Sequence, residues 1–145
     1  MNIYTQELSL MIYQSDYLRL EFMPEEKLMK MQWLDRSCSM SDKTFKQEFL
    51  KYAALVKKHR PSKLLFNTGT SSFTINPKMQ AWLNDKVFPV TYNAGLRTVA
   101  FIVSRVFITQ LSLEQTVEEE QGRAKHKMVR FFGDINEAMA FLRFS

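Results

Sequence analysis

The chain has 145 residues, 46% hydrophobic and 24% charged, with a formal net charge of +5 and a single cysteine, Cys38. That length predicts one domain, 1–145, large enough to bury its own core, with the composition of a soluble globular protein. One cysteine excludes a disulfide framework and suits a reducing cytoplasm, and the apolar run at 99–103 falls far short of the roughly 20 residues a membrane span needs.

Residues 1–15 read as an N-terminal extension with a short strand over 8–13. Glu7 and the lack of a basic start or small-residue cleavage site predict no secretory signal. Polar and apolar residues then alternate over 17–22, Met23-Pro24-Glu25-Glu26 supplies a turn, and 27–33 runs back, predicting a β-hairpin with one apolar face. The period next changes to that of a helix. Ser41 is the expected N-cap, and Phe45, Phe49, Tyr52, Ala53 and Val56 share one helical face. Lys57-Lys58-His59-Arg60 complements the helix C-terminus and Pro61 ends it.

Residues 63–67 predict a short buried strand. After a polar loop, Asn76 caps a helix with Pro77 at its first position, and Met79, Trp82, Leu83, Val87 and Val90 form its apolar stripe. Pro89 should bend or split that helix, because it lacks an N–H and crowds the preceding turn. Asn93-Ala94-Gly95 closes it, and 98–103 is the next strand. Ser112-Leu113-Glu114-Gln115 is a capping-box pattern for a helix ended by Gly122. The last strand is expected at 128–132. A helix from Asp134 should follow, with Ile135, Ala138, Met139 and Leu142 facing inward. The expected order is β-β-α-β-α-β-α-β-α, an α/β fold with a mixed, mostly parallel sheet after an N-terminal β-hairpin.

In such a sheet, ligands and partners gather at the carboxyl ends of the strands. That edge should hold Arg36, Asn67, Thr68, Thr70, Ser71, Ser72 and Arg105, a set rich in hydroxyls with two arginines suited to anions. The loop lacks the glycine spacing and lysine of a phosphate-binding P-loop, and helix capping and turn formation are the structural explanation for its hydroxyls. The opposite edge should be basic, since the runs 57–63, Arg97 and 123–127 all lead into strands. No aromatic residues interleave these runs, so no sequence-specific nucleic-acid binding is expected.

Catalytic sets are missing from the sequence. His59 and His126 sit in basic runs away from the polar loops, and are expected to be exposed and non-catalytic. Glu118-Glu119-Glu120 reads as a solvated helical face, and Cys38 as a packed small hydrophobe. No metal-ligand spacing appears, and no cofactor is expected. Nine methionines and twelve phenylalanines point to a soft aromatic core.

The element order, with these loops, resembles the STAS-like domains related to the bacterial anti-sigma-factor antagonists, and within them small stand-alone bacterial proteins grouped as SpoIIAA-like. The resemblance covers about residues 17–142. It is carried by Lys63-Leu64-Leu65-Phe66-Asn67, by Asn76-Pro77-Lys78-Met79-Gln80-Ala81-Trp82, and by Phe88-Pro89. It continues through Ala94-Gly95-Leu96-Arg97-Thr98-Val99-Ala100 and Arg130-Phe131-Phe132-Gly133-Asp134-Ile135-Asn136-Glu137-Ala138. Antagonist-type members place a phosphorylatable hydroxyl in an Asp-Ser-Ser-Gly-like turn after the third strand. Here Asn67 replaces the acidic residue and Gly69 precedes Ser71-Ser72, so no particular hydroxyl is assigned. The expectation is a non-enzymatic, cytoplasmic binding or regulatory module that engages another protein through the carboxyl-end loops, with a homodimer left open. The alternative is a carrier or sensor of a small apolar ligand or lipid, using Phe73, Trp82, Phe88, Phe107 and Ile108, for which core packing is the competing role.

Overall fold

The computed structural model describes residues 8–67, 75–102 and 128–145. Their strands are β1 (Leu10–Gln14), β2 (Leu18–Met23), β3 (Leu28–Trp33), β4 (Lys63–Asn67), β5 (Thr98–Ile102) and β6 (Met128–Phe132). The helices are α1 (Asp42–His59), α2 (Pro77–Trp82), α3 (Phe88–Asn93) and α4 (Ile135–Arg143). The strands form one six-stranded sheet in chain order, β1-β2-β3-β4-β5-β6. β1–β2 and β2–β3 pair antiparallel, while β3–β4, β4–β5 and β5–β6 pair parallel. The fold is therefore α/β with a mixed sheet. The expected capping box at 112–115 and its helix, and the basic run at 123–127, lie outside the described residues.

α1 forms where cap, stripe and stop signal agree. The Thr44 N–H donates to Ser41 Oγ at 3.1 Å, and Phe45, Phe49, Tyr52, Ala53 and Val56 are buried along one face. Arg60 ends the helix in a left-handed conformation (φ 53°), with its N–H on the Val56 carbonyl at 2.8 Å, and Pro61 then forbids another turn. The segment around Pro89 is not one straight helix. A π-helical turn, Leu83–Val87, separates α2 from α3, which places Pro89 in the first turn of α3 where no N–H is required of it.

Alternation along the strands divides the interior between the two faces of the sheet. On one face Leu20, Met31, Phe66, Val99 and Trp33 pack with Phe49, Val56, Met79, Leu83 and Val87 from α1, α2 and the π turn. Trp33 and Phe49 lie 5.3 Å apart at their ring centroids, and Phe66 and Phe101 4.7 Å apart. On the other face a smaller cluster joins Met23, Leu28, Leu65 and Ala100 to Ala138 and Leu142 of α4. α4 lies over β4–β6. The same face of β2 and β3 carries half-buried polar side chains: Arg19, Glu21, Lys30 and Gln32.

Four residues depart from expectation. Ile135 is 46% exposed, because it opens the first turn of α4 while Ala138 and Leu142 take the buried positions. Cys38 is exposed, and its neighbour Ser37 is the buried residue of the 3-10 turn Asp35–Ser39. His59 is half-buried rather than exposed, its ring 5.0 Å from that of Phe22. Glu48, absent from the expected α1 face, is buried and accepts a 2.8 Å hydrogen bond from the Tyr13 hydroxyl on β1. Its signal was available, since position 48 lies three residues from Phe45 and four from Tyr52 on the apolar stripe. Burial, reinforced by the Glu48 carboxylate, raises the Tyr13 pKa.

Candidate functional site

The carboxyl ends of the parallel strands meet at one edge, joined there by the turn between β1 and β2. β3 leads into the 3-10 turn that holds Arg36, and the Leu34 N–H donates to the Tyr17 carbonyl at 2.8 Å, fixing that turn against the β1–β2 connection. This brings Arg36 to Asp16 across an exposed ion pair of 3.3 Å. Asn67, the half-buried last residue of β4, pairs in register with Gln32 of β3, so Asn67 and the Arg36 turn emerge side by side.

Helix starts crowd the same edge. Asn76 Oδ1 accepts from the Met79 N–H at 2.8 Å, and its Nδ2 donates to Asp42 Oδ1 at 3.3 Å, tying the beginning of α2 to the beginning of α1. Asp134 Oδ1 accepts from the Asn136 N–H at 3.1 Å and starts α4. Each cap answers its own helix, so among the described residues the Asp16–Arg36 pair stands as an exposed ion pair at this edge. Of the residues expected here from the sequence, Arg36 and Asn67 are brought to one edge. Thr68, Thr70, Ser71, Ser72 and Arg105 lie outside the described residues.

The amino ends of the strands form the opposite edge. The N–H groups of Ser62 and Lys63 donate to the Lys27 carbonyl at 2.9 and 3.2 Å. Those of Arg97 and Thr98 donate to the Ser62 carbonyl at 2.9 and 3.1 Å, and that of Met128 to the Arg97 carbonyl at 2.8 Å. Lys27, Lys63 and Arg97 thus occupy neighbouring strand starts, beside the Lys57–Arg60 end of α1. The Arg97 guanidinium sits 4.0 Å from the Tyr92 ring centroid and donates to the Tyr92 carbonyl at 2.6 Å. Glu26 tempers the edge by pairing with Arg143 at 3.0 Å. His59 belongs to this side, and burial, followed by the Lys58 charge, lowers its pKa.

In chemical terms the described residues of the carboxyl edge offer hydrogen-bond donors and acceptors and the Asp16–Arg36 ion pair, and His59 is not placed to serve them. Among the described residues no group of three or more His, Cys, Asp or Glu side chains is arranged to hold a metal ion, and no helix is long and apolar enough to cross a membrane. Comparison of the chain with protein-family models, with curated proteins and with solved structures gave no significant match.

Proposed function

We propose that the chain is a STAS-like binding module of the SpoIIAA-like kind that engages a protein partner at its carboxyl edge. The observation that carries the reading is the convergence there of the Asp16–Arg36 pair, Asn67 and the starts of α1 and α2, tied to one another by the Asn76–Asp42 hydrogen bond. A rigid frame that presents exposed polar groups suits recognition, since the groups are ordered before the partner arrives. Exposed ion pairs contribute little to folding, which leaves the Asp16–Arg36 pair free to exchange partners. Carriage of a small apolar ligand has less behind it. Trp82 and Phe88 pack against the main core, and Phe73, Phe107 and Ile108 lie outside the described residues.

The test is affinity capture by the tagged protein after chemical cross-linking, using variants at both edges. Arg36→Ala, Ser71→Asp and Ser72→Asp should keep wild-type melting behaviour while depleting a captured partner that Lys58→Gln retains. Capture insensitive to every carboxyl-edge variant sinks the proposal. Unfolding of the Ser71→Asp or Ser72→Asp protein would assign those hydroxyls a structural role instead.

A further inference from the structure

At the amino edge a cleft of about 300 Å³ opens between the end of α1 and the end of α3, lined by Lys57, Arg60, Val90, Asn93 and Ala94. The sequence builds it simply. Lys57 and Arg60 stand three residues apart at the close of α1, while Val90, Asn93 and Ala94 follow the i, i+3, i+4 spacing that puts them on one face of α3. Among the described residues the lining thus has two cations, one amide, a small apolar wall and no carboxylate. Among the described residues, neither Lys57 nor Arg60 takes part in an ion pair.

Cations at a helix C-terminus have an ordinary structural use, answering its exposed carbonyls. Lys57, Lys58 and His59 already occupy the last turn of α1. Arg60 is different. It lies past the helix in a left-handed conformation and sends its guanidinium across to α3, where Nη1 donates to the Ala94 carbonyl at 3.5 Å. One donor is so engaged, the remaining guanidinium N–H groups are left for another acceptor, and the head group is held over the cleft before any ligand arrives.

We propose that this cleft binds the phosphoryl group of a phosphate monoester. Arg60 and Lys57 would meet the phosphoryl oxygens, the Asn93 amide would donate beside them, and Val90 with Ala94 would face the carbon body. A dianion matches two neighbouring cations better than a carboxylate does, and the guanidinium fork fits phosphate oxygens in pairs. The volume is at the small end of ligand sites, which suits a compound no larger than a sugar phosphate or the headgroup of an anionic lipid. The chemistry is the same for both sources. This site lies opposite the carboxyl edge and does not depend on the partner reading.

The experiment follows backbone amides by 1H–15N correlation spectroscopy while the full chain is titrated with glycerol 3-phosphate, and in parallel with sodium chloride at matched ionic strength. Co-sedimentation with phosphatidylcholine vesicles, with and without phosphatidic acid, forms the second arm. Saturable shifts clustered at Lys57, Arg60, Asn93 and Ala94 with glycerol 3-phosphate, weakened about tenfold by Lys57→Gln, support the site with a soluble ligand. Phosphatidic-acid-dependent sedimentation lost in Lys57→Gln, without saturable shifts from the soluble ester, supports it with a lipid headgroup. Lys57→Gln leaves the cap of α1 untouched, so it decides the matter even if Arg60→Gln fails to fold. Shifts that sodium chloride reproduces, binding indifferent to Lys57→Gln, or no binding in either arm overturns the proposal.

Discussion

At the amino edge, Lys27, Ser62, Arg97 and Met128 are joined through backbone N–H and C=O groups, and most side chains there are left to carry charge. At the carboxyl edge side chains add to the backbone bond between Leu34 and Tyr17: Ser15 Oγ accepts from the Tyr17 and Leu18 N–H groups, Ser41 caps α1, and Asn76 caps α2 while reaching Asp42. The contrast teaches where each edge can change. An edge knit by backbone tolerates almost any side chain that respects its φ and ψ, so its charge can be set by function. An edge knit by side chains constrains the residues that cap, and leaves only those between the caps free to vary.

The largest effect is expected from the backbone of the amino side. Gly95, at φ +113°, joins α3 to β5 and donates to the Tyr92 carbonyl at 3.0 Å. No atom would obstruct an added Cβ, so the cost of Gly95→Ala is conformational strain alone, about 1–3 kcal/mol in urea unfolding. A cost near zero would mean that this edge is not held by backbone conformation. Asn76→Ala comes next and tests the other edge. Loss of the cap on α2 should cost about 1 kcal/mol, whereas Asn76→Ser, which keeps a capping oxygen without setting a second carboxylate beside Asp42, should recover most of it.

His59 makes the stability of the amino side depend on pH. Its folded pKa lies below the ordinary 6.5, so the unfolded chain takes up the proton first. The stability it contributes is complete above about pH 6.5 and is lost as pH falls toward the lowered value. The midpoint of thermal unfolding should therefore drop less between about pH 7 and 5.5 in His59→Gln than in the wild type. An unchanged slope would show that burial of the ring and the Lys58 charge exert no such bias. The smallest effect is expected for Arg36→Ala. Its pair with Asp16 is exposed on both sides, and the stability change should stay within about 0.5 kcal/mol.

How much of this could be read beforehand depends on whether local and tertiary signals coincide. α1 could be read because Ser41, the buried stripe and Pro61 all speak locally, and β4 because its apolar run follows Pro61 and stops at a sequence rich in Ser and Thr. β1 could be read only roughly. Leu10-Met11-Ile12-Tyr13-Gln14 has no clean alternation, and its pairing with β2 is interrupted between Met11 and Tyr13. Pro89 announced a break in its helix but not the form of it, because a π turn depends on how α2 and α3 both seat on the core. Ile135 escapes burial because helical period fixes a face, while burial at a helix's first turn depends on how far the sheet beneath extends. Cys38 lies outside rather than packed for a similar reason, since a 3-10 turn offers no long periodicity to decide which residue points inward. At the candidate site, Arg36 and Asn67 could be placed on one edge from parallel topology alone. The pairing of Arg36 with Asp16 could not, because it needs the β1–β2 turn beside β3.

Sheet order and chain order coincide from β1 to β6, and this bears on how the molecule is made. Among the described strands, none must wait for a later one to be inserted beside it as the chain emerges from the ribosome. The β1–β3 meander closes short loops and can assemble early, whereas each parallel strand must bring a whole crossover with it before its ladder is rewarded. Synthesis from the N-terminus would then extend one growing edge, leaving β6 and the helix α4 to close the second face last. Pulse-labelled hydrogen exchange should find the amides of β2 and β3 protected before those of β5 and β6. Simultaneous protection across the sheet would show that the two halves fold as a single cooperative unit.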